Sequence, residues 1–385
     1  MTHTKPRVTA DDLASMKAHA KQVVAYNRAV AAAPSAEKVA PSFTAVQLAS
    51  MAGISRSTLE NRRKKGDLPD GHEAENRRRL FTLPEAQAWV RAYRKDQLRP
   101  VDAQCAVITT GNFKGGVGKS TTAATLAQGL SLRGHRVLVI DTDPQGSITS
   151  LMGVAPETLS DEQTVLSIST GDEVSLAGAI QKTYWSDIDL VGAAPRISAA
   201  QFHLPARTIK DGDDFWSVLA KGLTAEIRAN YDVVVIDTPP ALDYLTINAF
   251  YAADILVVPL PPSAMDFVSS TQFWDLFVEL NQSFSEYGLI KDYSFVNVLL
   301  SRVDSNDAAA GLVREWISEA YGKYLLPVEI PTTAAAKTAA AEFGTVYDST
   351  IAQQSARTYR RALDAYERLV EIIEGQLVRV WKGGK

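Results

Sequence analysis

Residues 105–121 read CAVITTGNFKGGVGKST, and this stretch decides the fold. Its apolar start at 105–108 is typical of a buried strand, and residues 122–132 are typical of a helix. A glycine-rich turn between a strand and a helix points backbone N–H groups at phosphate oxygens, and the helix dipole adds to that attraction. Lys119 would reach the terminal phosphates, and the Ser120 hydroxyl would hold Mg²⁺. The stretch therefore predicts a nucleoside triphosphate site.

Two further apolar runs end in carboxylates. Residues 136–146 read RVLVIDTDPQG, and residues 231–240 read YDVVVIDTPP. A continuous Val, Ile and Leu run with polar residues only at its carboxyl end is typical of a buried parallel strand. Because that end faces the ligand crevice in open α/β sheets, we expect Asp141, Asp143 and Asp237 to converge on the phosphates and the metal ion. The predicted fold class is α/β, a mostly parallel twisted sheet with helices on both faces.

Three motifs, KGGVGKST, IDTDPQG and IDTPP, resemble in order and spacing those of the ParA/MinD group of P-loop ATPases. The resemblance covers residues 104–375. One departure from the general P-loop pattern points to this group, since Phe113 stands where the general pattern has glycine and Lys114 follows it. The resemblance implies a slow, Mg²⁺-dependent ATPase that binds ATP and ADP.

The resemblance also implies a role for each motif residue. Lys119 contacts the phosphates, Asp143 orients the attacking water, and Lys114 reaches across a homodimer to the partner's nucleotide. These three are the expected catalytic residues, because phosphoryl transfer depends on positioning and charge neutralisation. The expected magnesium shell contains Ser120, Asp141 and Asp237. The expected nucleotide contacts are Gly115, Gly116, Val117, Gly118, Lys119, Ser120, Thr121, Pro331 and Thr332.

Length and charge divide the chain. Its 385 residues suggest two or three domains, because single cores stop growing at about 250–300 residues. Residues 1–100 carry 18 Lys and Arg against 10 Asp and Glu, whereas the remainder carries 22 against 34. A basic amino-terminal part on an acidic body favours contact with a polyanion. We predict a dimerisation helix at 1–40, a DNA-binding domain at 41–98 and an ATPase domain at 104–385.

The second segment carries a helix-turn-helix pattern. Helices are predicted at 45–52 and 56–65 with Gly53 in the turn, and residues 66–81 resemble the wing of MerR-like proteins. The predicted module is an all-α winged helix-turn-helix whose second helix enters the major groove. Its predicted DNA contacts are Ser55, Arg56, Ser57, Thr58, Arg62, Arg63, Arg78 and Arg79. The alternative is a basic helical bundle that serves only dimer contacts.

The first segment is predicted to be a helix over 11–33, with Thr9 as its N-cap. We expect a dimerisation arm, because nothing nearby covers its apolar stripe and palindromic half-sites need a dimer. The first two segments together form an amino-terminal extension that is similar to that of large-type ParA proteins, which repress their own partition operon through it. Small ParA and MinD proteins lack it.

The resemblance implies three partners besides a second copy of the chain. A ParB-type centromere-binding protein stimulates hydrolysis, operator DNA binds the winged module, and nonspecific DNA binds the ATP-bound dimer. Nonspecific binding needs basic side chains on phosphates and depends on salt. The candidates are Arg302, Lys337, Arg357 and Arg360, with ordinary solvated charge as the alternative for each.

Other features favour a cytoplasmic, nucleoid-associated protein without membrane contact. No stretch reaches the roughly 18 apolar residues of a membrane span, and no secretion signal opens the sequence. The single cysteine, Cys105, is expected to be a buried strand residue. Glu367, Glu371 and Glu374 make the last helix too acidic for anionic lipid, so we expect it to pack against the body.

Two other functions stay open at this stage. One is a transcriptional repressor that senses nucleotide and moves no cargo. The other is a MinD-like positioning ATPase at a membrane, which the amino-terminal DNA module disfavours. Asp266 lies in a loop that resembles the family's dimer face, and it is either a dimer-contact or switch residue or a solvated loop aspartate.

Overall fold

The computed structural model describes residues 9–31, 38–74, 78–211, 214–286, 291–304, 307–333, 344–348 and 357–383. The chain divides into two compact units, Met1–Val39 and Ala40–Lys385. The first unit contains helix α1 (Ala10–Ala31), and the hydroxyl of Thr9 accepts from the Asp12 N–H at 3.2 Å, as an N-cap does. Its apolar side chains Leu13, Met16, Val23 and Val24 are exposed.

The second unit begins with a small helical module that also contains a sheet. Its helices are α2 (Ala45–Met51), α3 (Arg56–Arg63) and α4 (Leu83–Tyr93). Its strands β1 (Phe43–Thr44), β2 (His72–Glu73) and β3 (Arg79–Phe81) pair antiparallel in the order β1-β3-β2. The module is therefore not all-α, because the wing returns to pair with the residues before α2. Leu48, Leu59, Phe81 and Trp89 form its buried centre.

An eight-stranded sheet forms the body. The strands are β4 (Ala106–Thr110), β5 (Val137–Asp141), β6 (Gln181–Lys182), β7 (Ile188–Val191), β8 (Val233–Asp237), β9 (Ile255–Leu260), β10 (Phe295–Val303) and β11 (Leu325–Pro331). Their order is β11-β10-β9-β4-β8-β5-β7-β6. All neighbours are parallel except β6 and β7, which confirms the mostly parallel sheet predicted from the motifs. Cys105 precedes β4, and burial raises the pKa of its thiol to about 12.

Helices cover both faces of this sheet. They are α5 (Lys119–Leu132), α6 (Ser147–Leu151), α7 (Leu166–Thr170), α8 (Ala200–Asp211), α9 (Val218–Gly222), α10 (Ala225–Asn230), α11 (Tyr244–Ala252), α12 (Ala264–Glu286), α13 (Ala308–Tyr321) and α14 (Arg357–Trp381). Alternate strand residues face opposite sides. In β5, Val137 and Val139 pack with α5 and α14, whereas Leu138 and Ile140 pack with α7 to α11.

The winged module rests on the far end of the helix that follows the glycine-rich loop. Gln87 Nε2 donates to Ser131 Oγ at 2.7 Å, and Arg91 Nε donates to the Gly134 carbonyl at 2.9 Å. Because of these contacts, residues 40–385 form one compact unit. The predicted division into a DNA-binding domain at 41–98 and an ATPase domain at 104–385 stays a prediction, namely that the two segments can fold independently.

The last helix, α14, packs against the body as expected. Leu369, Val370, Ile373 and Leu377 are fully buried in the cluster that contains α5. Glu374 lies among Arg94, Arg133 and His135 and accepts hydrogen bonds from them. Its carboxylate therefore pairs with groups of the protein body and does not face solvent. Within the described residues, no helix combines the length and the apolar character that crossing a bilayer requires.

Candidate nucleotide-binding site

The glycine-rich loop joins the carboxyl end of β4 to the start of α5. Gly116 and Gly118 have φ angles of 75° and 98°, in a region that residues with a Cβ rarely adopt. Gly118 is the N-cap of α5, which begins at Lys119. Glycine at these two places lets the backbone fold around an anion at the positive end of a helix. Gly115, Val117, Ser120 and Thr121 complete the predicted contacts in the loop and the first helical turn.

Lys119 is held over this loop although nearly all of its side chain is buried. Its Nζ donates to the Lys114 carbonyl at 3.0 Å. Burial lowers the pKa of Lys119, and the charges of Asp237 and Asp143 act in the opposite direction. The ammonium group therefore stands beside two of the carboxylates that the sequence predicts at this edge.

The strand register brings the predicted carboxylates together. Asp237 at the end of β8 lies opposite both Thr110 of β4 and Asp141 of β5. Asp237 Oδ1 accepts from Thr110 Oγ1 at 3.3 Å, whereas its buried Oδ2 has no hydrogen-bond partner among the described residues. Burial raises the pKa of Asp237 to about 7, although the nearby Ser120 hydroxyl and Lys119 lower it.

Asp141 and Asp143 differ from Asp237 in their partners. Both oxygens of Asp141 accept hydrogen bonds, from the Asp143 N–H at 3.0 Å and from the Thr149 N–H and hydroxyl at 3.1 and 2.6 Å. Burial and the charge of Asp237 raise the pKa of Asp141. Asp143 Oδ1 accepts from the Gln145 N–H at 2.9 Å. Asp141 thus orders the loop after β5, and Asp237 has the more available oxygen.

Lys114 is paired within its own chain. Its Nζ lies 2.8 Å from Asp266 Oδ1 in the first turn of α12, and its N–H donates to Asn112 Oδ1 at 3.0 Å. Asp266 also accepts from the hydroxyl of Ser263. The aspartate is therefore no freely solvated loop residue, and its partner is the lysine that the resemblance assigns to the dimer contact. Sequence reasoning had no signal for this pair, because the two residues are far apart along the chain.

The ends of β10 and β11 form one rim of the loop. Pro331 pairs with Val303, and the Thr332 N–H donates to the Val303 carbonyl at 2.9 Å, so the two predicted nucleotide contacts lie at the same sheet edge. Arg302 donates from Nη1 to the Gly116 carbonyl. The guanidinium therefore lies against the glycine-rich loop, and the role of Arg302 as a nonspecific DNA contact stays a prediction.

The winged module presents its predicted DNA contacts unequally. Ser55 caps α3 by accepting from the Thr58 N–H at 3.1 Å, and Arg56 and Ser57 after it are exposed. Arg62 pairs with Asp67 at 2.6 Å.

Two further acidic residues, Glu60 and Asp70, limit the basic charge that this surface offers to DNA. Arg63 pairs with Glu60 at 2.9 Å and with Asp70 at 2.6 Å, and Arg79 pairs with Asp70 at 2.8 Å. Arg78 is exposed between the wing strands. Sequence reasoning counted the acidic residues of the amino-terminal part but had no signal for which arginines they pair with.

Two of the remaining candidate cations lie on the last helix. Arg357 and Arg360 are exposed on the first turns of α14. Lys337, a predicted nonspecific contact, lies outside the described residues.

Similarity to known proteins spans more than the loop motif. Residues 105–287 match the family model described as an AAA domain. A putative replication protein A from Sinorhizobium fredii is 30% identical over 358 residues, covering 89% of this chain and 87% of the relative. Protein SopA from Escherichia coli is 28% identical over 356 residues, covering 90% and 91%.

Two solved structures share the architecture. A partition protein superposes with a TM-score of 0.66 over 96% of this chain and 98% of its own, at 18% identity, which concerns the fold alone. Cobyrinic acid a,c-diamide synthase from Mycobacterium smegmatis, solved with an ATP analog and magnesium, gives 0.56 over 73% and 97% at 25% identity.

Proposed function

This chain belongs to the ParA family of P-loop ATPases, in its large form, and on that premise we propose that it is a DNA-partition ATPase that works with ATP, ADP and Mg²⁺. The observation that carries the proposal is one sheet edge at which Lys119, Asp143 and Asp237 meet beside a glycine-rich helix start. Relatives matched over nearly their whole length and a solved partition protein of the same fold support it.

The side chains at this edge fit a magnesium ion. Mg²⁺ takes oxygen ligands from one or two side chains together with phosphates and water. Asp237 Oδ2 is a buried oxygen without a hydrogen-bond partner among the described residues. The Ser120 hydroxyl lies near the same carboxylate. These two residues would hold the ion, and the bound ion would neutralise charge on the phosphates. Asp141 would support them by fixing the loop after β5.

Hydrolysis needs positioning more than covalent chemistry. Lys119 holds its ammonium over the loop, where the phosphates would lie, and Asp143 at the same edge orients the attacking water. Lys114 leaves Asp266 and contacts the nucleotide of a second copy of the chain, so that hydrolysis requires a homodimer. A cation supplied by another subunit acts as an arginine finger does. Slow turnover by the isolated chain follows from this requirement.

DNA takes part in two ways. The ATP-bound dimer coats DNA of any sequence through basic side chains, for which Arg357 and Arg360 are exposed candidates. The apo or ADP form binds operator DNA through residues 42–81 and represses its own partition operon, with Arg56 and Ser57 nearest to the bases. A ParB-type centromere-binding protein stimulates hydrolysis and releases the dimer. The protein then works on the nucleoid, in the cytoplasm.

The direct test is DNA binding under nucleotide control. Purified wild-type chain is mixed with duplex DNA of unrelated sequence, with ATP and Mg²⁺, with ADP and Mg²⁺, or without nucleotide, and binding is measured by fluorescence anisotropy at fixed salt. We expect tight DNA binding with ATP and Mg²⁺, and weak binding with ADP and Mg²⁺ or without nucleotide. The Lys119→Ala variant should lose the ATP response, because the phosphates lose their buried ammonium group.

The control is Lys221→Ala, which removes an exposed lysine from α9. It should bind as the wild type does. ATP-dependent coating by Lys119→Ala would refute the account of the nucleotide site. Equal binding by the wild type in all three nucleotide states would instead refute the partition function.

A further inference from the structure

Strand β10 is irregular at its carboxyl end. Leu300 lies opposite Glu329 and Val303 lies opposite Pro331, so β10 has one residue more than β11 over this interval. Within the bulge Arg302 has a φ of 52°, a left-handed conformation that costs free energy for a residue with a side chain. Bulges near binding sites commonly redirect a side chain. Other interactions of Arg302 must therefore offset the free-energy cost of its left-handed conformation.

The contacts of the bulge lie in the glycine-rich loop. The buried Ser301 donates from Oγ to the Val117 carbonyl at 2.8 Å. Arg302 donates from Nη1 to the neighbouring Gly116 carbonyl. A Cβ at Gly116 would stand 3.4 Å from that guanidinium nitrogen, so the approach is close. Two consecutive loop carbonyls are thus held by two consecutive residues of β10.

Holding these carbonyls fixes the direction of two N–H groups. A peptide unit is planar and trans, so its N–H points away from its own C=O. With the Gly116 and Val117 carbonyls turned toward β10, the N–H groups of Val117 and Gly118 point away from β10. In a phosphate-binding loop such N–H groups contact the anion. The bulge therefore orients donors that it does not itself touch.

We propose that Ser301 and Arg302 are positioning residues of the nucleotide site, which set the peptide orientation that a nucleoside di- or triphosphate needs. The inference rests on the proposed nucleotide site and adds a part that no sequence motif marks. Both ATP and ADP carry the phosphates that the loop would hold, so both should depend on the bulge to the same degree.

The test separates the Arg302 side chain from the strained backbone. In Arg302→Gly the side chain is lost but the left-handed conformation becomes easy, whereas in Arg302→Ala the side chain is lost and the strain stays. We expect both variants to lose affinity for ATP and ADP by about tenfold, as for a lost hydrogen bond from a charged donor. Calorimetric titration gives the affinities. The melting temperature should fall for Arg302→Ala and stay at or above the wild-type value for Arg302→Gly.

Kinetics and two further variants sharpen the result. The KM for ATP should rise about tenfold in Arg302→Gly with kcat within about twofold, because phosphate binding rather than chemistry is affected. Arg302→Lys keeps a donor and should recover most of the affinity, and Ser301→Ala should lose about fivefold through the second carbonyl.

Two outcomes would overturn the inference. One is wild-type nucleotide affinity in Arg302→Gly with weaker binding to nonspecific DNA, which would make Arg302 a DNA contact. The other is a loss of affinity in Arg302→Ala that Arg302→Gly fully restores, which would assign the effect to the backbone alone. Either result with normal ATP binding by the wild type leaves the proposed function intact, whereas a wild type that binds no nucleotide refutes that function itself.

Discussion

The nucleotide edge of the large sheet and the DNA-facing side of the winged module differ in how their charged groups are partnered. At the sheet edge, Asp237 Oδ2 has no hydrogen-bond partner among the described residues, and Lys119 donates to a loop carbonyl. In the winged module, Arg63 and Arg79 both pair with Asp70. The loop and strand motifs bring together polar atoms that can still bind a ligand. In contrast, a sequence segment rich in arginine does not show that its arginines are available to DNA, because acidic neighbours can pair with them.

Lys114 is an exception to this comparison, because it lies at the nucleotide edge but is paired with Asp266, as the arginines of the winged module are paired with acidic residues. We expect Lys114→Ala to lower the kcat for ATP by about 10³-fold or more, the effect of losing a cation supplied in trans. Its affinity for ATP should change only a few fold. Steady-state hydrolysis and calorimetric titration measure the two quantities, with Lys221→Ala as the surface control. Full turnover by Lys114→Ala would contradict the role in trans.

Glu374 tests whether a buried ion cluster behaves unlike the exposed pairs of the winged module. Burial alone would raise the pKa of Glu374, but hydrogen bonds from His135 and Arg94 outweigh it and lower the pKa to about 2. Glu374→Gln should lose about 3–5 kcal/mol of unfolding free energy at pH 7, because buried cations are left without their partner. Urea denaturation measures the loss.

The pH dependence of that loss follows from the lowered pKa. The stabilisation is present above the unfolded pKa of 4.5 and disappears as the pH falls toward about 2. The difference in unfolding free energy between the wild type and Glu374→Gln should therefore become smaller as the pH falls from 4.5 toward about 2. The matched control is Glu371→Gln, whose carboxylate is exposed and pairs with Arg368, and it should lose under about 1 kcal/mol. A difference in unfolding free energy between the wild type and Glu374→Gln that does not change with pH would contradict the ion-pair account.

Arg56 and Arg63 compare an exposed arginine with a paired one on the same helix. We expect Arg56→Ala to weaken binding to the DNA upstream of the gene by about 1–3 kcal/mol, as for a base or phosphate contact. Arg63→Ala should have a smaller effect, because Glu60 and Asp70 already hold its guanidinium. Gel-shift titration at fixed salt measures both, and the reverse order would show that the pairs open on DNA.

Asp70→Ala probes the same counter-charge from the other side and should have the smallest effect on stability. Its carboxylate is largely exposed, so the free energy of unfolding should stay close to the wild-type value. DNA affinity should rise instead, because Arg63 and Arg79 lose the acidic side chain that they share. The slope of log K against log salt should steepen by about one to two phosphate contacts. An unchanged slope would mean that neither arginine reaches the backbone.

The sequence predicted the sheet and the glycine-rich loop well for a physical reason. Continuous β-branched runs and glycines between a strand and a helix are local patterns, and parallel register then places Asp237 beside Asp141. Contacts between distant segments carry no such pattern. The pairing of Lys114 with Asp266, the hold of Arg302 on Gly116 and the cluster around Glu374 therefore came only from the structure.

The most direct measurement is calorimetric titration of the wild-type chain and of Lys119→Ala with a nonhydrolysable ATP analog in the presence of Mg²⁺. The account predicts saturable binding of one nucleotide per chain by the wild type and none by Lys119→Ala, since the buried ammonium group is the charge that the phosphates need. Equally tight binding by Lys119→Ala, or no binding by the folded wild type, would contradict it.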